Sequence, residues 1–281
     1  MFTIKDQHKK TIAAAAISSS AKCLTVRIGS ERVETLISSE LFKRPESLVV
    51  TQFQAGTFSS NNTFALEDFF AGEGLKNRAF KHCRIILISS DFTLIPTAFG
   101  NNVALSALNL VNGRNQNRHL HMHLPGIDIV AGFDANWLNA IERVFPNAQI
   151  KHSAAVTLTL FQNHHSLAGA DVFLQLNGSD MELCAKNEKG LLFYNIFNPQ
   201  SDEDVLYYLL FALEQFSLNP QHLKLALAAE VEANSALITS IKKYVRHLQL
   251  VAHSPNLILQ DDFATMPSHH YFQLLNQFLC E

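Results

Sequence analysis

Three histidines at alternate positions, His119, His121 and His123 in RHLHMHL, have a spacing that could do chemistry. On a strand they share one side, where a metal ion could bridge imidazoles. No cysteine or carboxylate cluster stands near them, so an exposed strand face is the simpler reading and no metal is expected. The pairs His164-His165 and His269-His270 are adjacent; neighbours point apart on a strand and diverge on a helix, which makes poor chelates. Asp202, Glu203 and Asp204 resemble a carboxylate cluster, but they follow Ser201. Ser201 reads as an N-cap, Asp204 completes a capping box, and the acids favour the positive end of the helix dipole. Asp91 and Asp134 are the strand-end acids left for an enzyme with its base elsewhere, a sugar-kinase-like one for example. No GxSxG, HExxH, Walker A or GxGxxG pattern occurs, so the common hydrolase, protease and dinucleotide readings lack a motif.

Whatever chemistry exists must be held by a large folded frame. The 281 residues are 47% hydrophobic and 17% charged, which argues against extended disorder and for two domains. A formal charge of −3 leaves no basic stripe for nucleic acid. Phe is abundant (21 residues) and reads as core and domain interface. Cys23, Cys83, Cys184 and Cys280 are far apart and form no CxxC pair, which points to reduced thiols and a cytoplasmic protein. No apolar run is long enough for a membrane span. Lys9-Lys10 before TIAAAAISSSAKC imitates a signal peptide, but alanine and serine make too weak an apolar stretch. Residues 1–22 are therefore expected to be a weakly ordered arm.

The rest reads as two similar halves, residues 23–166 and 167–281, joined by the polar stretch 163–168. Each opens with a hairpin turning at Gly-Ser-acid: Gly29-Ser30-Glu31 and Gly178-Ser179-Asp180. A third strand follows in each, SLVVTQF and GLLFYNIF. In the first half a helix is expected over 66–80, then the apolar strand RIILIS, an irregular insertion at 91–126 with a short helix near 103–110, and strand IDIVAGF. Strand AQIKH and a helix over 154–162 complete it. In the second half, the helix over 205–216 is apolar nearly all round and should be buried on several sides. Tyr194, Tyr207 and Tyr208 then read as core with a polar tip. Strand LKLALAA, a helix, strand LQLVA and a terminal helix over 268–280 close the chain. Matching helices carry Trp137, Leu138, Ile141, Val144 and Phe145 against Leu237, Ile238, Ile241, Tyr244 and Val245. The order βββαβαβα, given twice, suggests a duplicated ribonuclease-H-like α/β architecture with mixed sheets.

At YNIFNPQSDEDVLYYLLFALEQFSLNP, FTLIPTAF and SHHYFQLLNQFLCE, the chain resembles an uncharacterised bacterial family of unknown function with an actin-like ATPase fold. The likeness covers nearly everything from Cys23 onward. More distantly, it is similar to the actin-like proteins of type IV pilus assembly and type II secretion, in which a small subdomain interrupts the first domain. Actin-like ATPases hold nucleotide between two hairpins, each usually with an aspartate before a Gly-containing turn. The resemblance puts Arg27 and Gln175 at those aspartate positions, before Gly29-Ser30 and Gly178-Ser179-Asp180, and Ala228-Ala229 where two glycines normally underlie adenosine. These nine residues form a candidate degenerate nucleotide cleft. The replacements imply a non-catalytic module, a pseudo-ATPase acting as a scaffold for an unknown protein partner, with no catalytic residue and no required cofactor. A nucleotide-binding protein or weak ATPase that still holds ATP is the alternative. Arg27 would then lend positive charge; otherwise it is simply the solvated side of a strand.

Overall fold

The computed structural model describes residues 4–11, 22–39, 41–53, 63–76, 78–99, 106 and 118–280. The chain divides into two compact units, Met1–Val156 with Leu259–Asp262 and Thr157–Ile258 with Phe263–Glu281.

The first unit is built on a six-stranded sheet, ordered β1-β4-β3-β2-β5-β9. Its strands are β1 (Ile4–Thr11), β2 (Cys23–Ile28), β3 (Arg32–Ser39), β4 (Arg44–Phe53), β5 (His82–Leu87) and β9 (Gln149–His152). β2 is buried along its whole length, as suits a strand covered on both faces. It pairs antiparallel with β3 and parallel with β5. β1 lies inside the segment expected to be a loose arm, yet it pairs antiparallel with β4 from Ile4↔Phe53 to Thr11↔Ser47.

Helix α1 spans Thr63–Gly72 and stops well short of residue 80. Gly74 takes a left-handed φ of +66°, Gly74 N–H donates to Ala71 O (3.0 Å) and Leu75 N–H to Phe70 O (2.9 Å). This is the Schellman arrangement, with Gly74 in the left-handed position that ends the helix. Between β5 and β9 come β6 (Phe92–Pro96), β7 (Arg118–Leu124), β8 (Ile127–Phe133) and helix α2 (Ala135–Val144). The IDIVAGF strand does not rejoin the main sheet. As β8 it is the centre of a separate sheet, β6-β8-β7, antiparallel to both neighbours. The insertion therefore reaches Phe133, and the short helix expected near 103–110 lies, apart from Ser106, outside the described residues.

Helix α3 (Ser153–Asn163) begins in the first unit and continues into the second. The expected link at 163–168 is ordered as a 3-10 turn over His165–Leu167. The second unit's sheet is ordered β12-β11-β10-β13-β14. Its strands are β10 (Val172–Asn177), β11 (Asp180–Asn187), β12 (Gly190–Phe197), β13 (Lys224–Ala228) and β14 (His247–Leu250). Counted from the hairpin, this 3-2-1-4-5 order is that of β4-β3-β2-β5-β9, with the same antiparallel hairpin and parallel remainder. The duplicated ribonuclease-H-like, actin-like plan expected from the sequence is present.

Helix α4 (Asp202–Gln215) starts at Ser201, whose Oγ accepts from Asp204 N–H (3.2 Å), while Asp204 Oδ2 accepts from Gln200 N–H (2.8 Å). The return bond thus falls one residue earlier than in an ordinary capping box. Only Val205, Leu209, Ala212 and Leu213 of α4 are buried. Tyr207, expected in the core, is 61% exposed, and Phe211 46%. Helix α5 (Ala236–Tyr244) buries Leu237, Ile238 and Ile241, as α2 buries Leu138, Ile141 and Val144, but leaves Tyr244 exposed. The last helix is broken into pieces: α6 (Asp262–Thr265), α7 (Phe272–Asn276) and a 3-10 turn over Gln277–Cys280. Tyr271 has a φ of +49°, and the His269 carbonyl accepts from Ala229 N–H (3.2 Å), so residues before α7 are tied to the end of β13. All four cysteines are free thiols.

Candidate functional site

In the first unit β2 and β3 meet at Gly29-Ser30-Glu31, where Gly29 N–H donates to Arg32 O (2.8 Å) and Phe53 N–H to Glu31 O (2.7 Å). Register sets Arg27 opposite Glu34. Arg27 is only 3% exposed, so it is not the solvated side of a strand. Its Nη1 lies 2.6 Å from Glu34 Oε2, and Arg32 Nη2 lies 2.8 Å from Glu34 Oε1. Burial pushes the Glu34 carboxyl up, but Arg27 and Arg32 beside it outweigh this and hold it below the usual carboxylate range. Arg27 Nε and Nη2 are buried without a hydrogen-bond partner.

In the second unit Asn177 and Asp180 close a two-residue turn, and Gly178 has a φ of +64°. A glycine leading such a turn is the II′ pattern whose twist suits a hairpin. Gln175 faces Glu182 in register and is 1% exposed. Its Nε2 donates to Glu182 Oε1 (3.1 Å). Glu182 also receives Thr157 Oγ1 (2.5 Å), Tyr194 Oη (2.7 Å) and Gln273 Nε2 (3.4 Å). Gln273 Nε2 donates to Thr157 Oγ1 as well (2.6 Å). A buried carboxylate is thus held by uncharged donors from α3, β10, β12 and α7. Asp180 is buried and accepts from Asn198 Nδ2 (3.0 Å), and the Ser179 carbonyl lies 3.4 Å from the same nitrogen. Ala228 pairs with Gln175 across the parallel strands and, like Ala229, is buried.

Of the nine candidate residues, Gln175, Gly178, Ser179, Asp180, Ala228 and Ala229 gather at one end of the second sheet, while Arg27, Gly29 and Ser30 gather in the first. Sequence reading missed the residues that occupy those positions' partners, Glu34 and Glu182. Each stands seven places after its partner. Counting both hairpins outward from their turns would have found them. Thr157 and Gln273 carry no such signal.

Asp134 has structural work. Asp134 Oδ1 accepts from Asn136 N–H (2.8 Å) and Trp137 N–H (3.3 Å), capping α2. Asp91 N–H donates to Ser89 Oγ (3.1 Å) and its carbonyl accepts from Gly132 N–H (2.8 Å). On β7, His119, His121 and His123 face Gly132, Val130 and Asp128 in register, and His123 Nδ1 lies 2.6 Å from Asp128 Oδ1. Among the described residues no group of three His, Cys, Asp or Glu could hold a metal ion. None of their helices is long and apolar enough to cross a membrane.

The profile of a family described as a protein of unknown function (DUF3822) matches residues 12–248. The chain belongs to this family. A solved Bacteroides thetaiotaomicron VPI-5482 protein with an actin-like ATPase fold and unknown function is similar at a TM-score of 0.68 and 18% identity, covering 83% of this chain and 91% of that one. The PilM-PilN type IV pilus biogenesis complex is similar at 0.57 and 11%, covering 92% and 96%. At such identities the likeness shows the fold, which for this DUF3822 chain is the actin-like ATPase fold. No curated protein matches it.

Proposed function

We propose that this protein is a non-catalytic, cytoplasmic actin-like module that serves as a scaffold for protein assembly. The reading takes Arg27 and Gln175 to stand at the two aspartate positions of an actin-like ATPase; the observation that supports it is that both side chains are committed, Arg27 to Glu34 and Gln175 to Glu182. Neither leaves a free carboxylate to position Mg²⁺ through water. Four free thiols suit a reducing compartment. One similar structure, PilM with PilN, is an assembly of an actin-like chain with a partner, which supports the scaffold part. Calorimetry and a phosphate-release assay with Mg-ATP test it. No turnover is expected, and turnover abolished by altering Gln175 or Asp180 would sink the reading.

One observation favours nucleotide or anion binding without hydrolysis: the two Arg27 nitrogens that are buried and unpartnered. Metal-free ATP or pyrophosphate would then raise the melting temperature of the wild type and not of Arg27→Met.

A further inference from the structure

Strand β7 divides its residues between two faces. Leu120 and Met122 pack against the first unit's core, and Met122 Sδ accepts from His152 N–H (3.1 Å). The alternate positions His119, His121 and His123 therefore share the other face. His121 and His123 are exposed there, the His123 side chain by 63%. Register sets them beside Val130 and Asp128 of β8, which in turn lie beside Thr93 and Ile95 of β6. His119 stands third in the row, but its Nε2 is buried, so an ion arriving from solvent does not reach it.

Asp128 is 5% exposed, and its Oδ1 lies 2.6 Å from His123 Nδ1. A carboxylate can only accept, so the proton sits on Nδ1 and the other ring nitrogen, Nε2, keeps its lone pair. This is the carboxylate–histidine arrangement that fixes the tautomer of a metal-binding imidazole and raises its basicity. Alone, the contact would merely satisfy a buried acid. The exposed His121 beside it makes the pair a chelate. Residues two apart on a strand are separated by about 6.6 Å. Two imidazoles on one ion need nitrogens roughly 3 Å apart, given metal–nitrogen distances of about 2.0–2.1 Å. Rotation of the exposed His121 side chain closes that difference while Asp128 holds His123 still.

We infer that His121 and His123 form a two-imidazole site for a divalent transition metal of the Zn²⁺, Ni²⁺ and Cu²⁺ class, with Asp128 as the positioning residue behind His123. Imidazole suits these ions. Mg²⁺ and Ca²⁺ take oxygen ligands and are not served by a nitrogen pair. Among the described residues no group of three His, Cys, Asp or Glu closes around an ion, so water completes the shell. The site is an open chelate on the small sheet, not a structural centre. The Asp128 carboxylate also offsets part of the ion's charge. A metal here goes beyond the scaffold reading and is independent of it.

Isothermal titration of the full chain with Ni²⁺ and with Zn²⁺ at neutral pH tests it. One ion per chain is expected in the tightest phase, and none with Mg²⁺. His121→Gln and His123→Gln should each weaken binding at least about ten-fold. Asp128→Asn should weaken it about 10–100-fold with both ligands still present. His247→Gln, at an exposed histidine of β14, should leave it unchanged. Because His121 and His123 are exposed, their variants should keep the wild-type melting temperature, which separates lost ligation from lost folding. A wild type that binds neither ion more tightly than His121→Gln/His123→Gln overturns the inference. Equal weakening by His247→Gln does so too, and a folded Asp128→Asn protein of unchanged affinity removes the positioning role.

Discussion

Arg27 Nη1 meets Glu34 Oε2 at 2.6 Å inside the first sheet, and the equivalent rows of the second sheet bring Gln175 Nε2 to Glu182 Oε1 at 3.1 Å. One carboxylate is neutralised by two guanidiniums, the other is solvated by four neutral donors. Each half carries a buried glutamate, and the two are satisfied in different ways. A buried ion pair adds little over apolar residues of the same volume, but breaking one partner away is costly.

Arg27→Leu should therefore destabilise the first unit by about 3 kcal/mol, because Arg32 alone is left beside a buried Glu34. The double variant Arg27→Leu/Glu34→Leu, which removes the buried carboxylate but also takes it from Arg32, should recover part of that loss. Urea unfolding of the three proteins measures it, and equal losses for single and double variants would disprove the pairing as the cause.

Glu182→Gln replaces an acceptor-only group with one that must donate into a cluster already full of donors. A cost of about 1.5–3 kcal/mol is expected from losing hydrogen bonds to a charged acceptor. Thr157→Val should cost less, since Tyr194 Oη still reaches the same oxygen. Chemical denaturation of the two variants gives the order.

Acid should weaken both units. His152, His164 and His253 have pKa values pushed down to about 4, in each case mainly by burial. His152 is neutral by construction, with Nε2 at 2.9 Å from the Ser89 carbonyl and Nδ1 accepting from Ala154 N–H. The unfolded chain takes up these protons first, near pH 6.5, so the stability they give is full above that value and is lost between about pH 6.5 and 4. Each buried group contributes a slope of up to about 1.4 kcal/mol per pH unit, with less for His253, which is only half-buried. Glu34, held low by its arginines, adds loss in the same direction at still lower pH. Denaturation midpoints followed downward from neutral pH should fall, and His152→Gln should flatten the fall.

Removing residues after Ser268 should unfold the second unit rather than trim it. Phe272, Leu274 and Leu275 are buried, Gln273 reaches Glu182, and Asn276 Oδ1 bonds to His164 Nε2 (3.1 Å) and Ser254 N–H (2.9 Å). Losing three buried apolar side chains forfeits roughly 5–9 kcal/mol, as much as a domain's whole margin. A truncated chain with an unchanged melting temperature would refute this.

The repeated hairpins, with Gly-Ser at their turns and apolar strands behind, made the duplicated frame legible, since alternation and turn residues act locally. The small sheet was not legible. Nothing in IDIVAGF says whether it pairs with β5 or with β6 and β7, because a short apolar strand suits either. Tyr207 and Phe211 were misplaced for a related reason: an all-round apolar helix reads as buried, and only the packing leaves that face exposed. Arg27 reads as solvated on its own strand, and only Glu34, facing it across the hairpin, lets it be buried.

The glutamate cluster also sets an order for the growing chain. Gln273 lies 91 residues beyond Glu182. At the ~5–20 residues per second of translation, the hairpin waits several seconds for that donor to be made. Until then the second sheet holds a carboxylate that is only partly answered, and it closes when the last helix arrives.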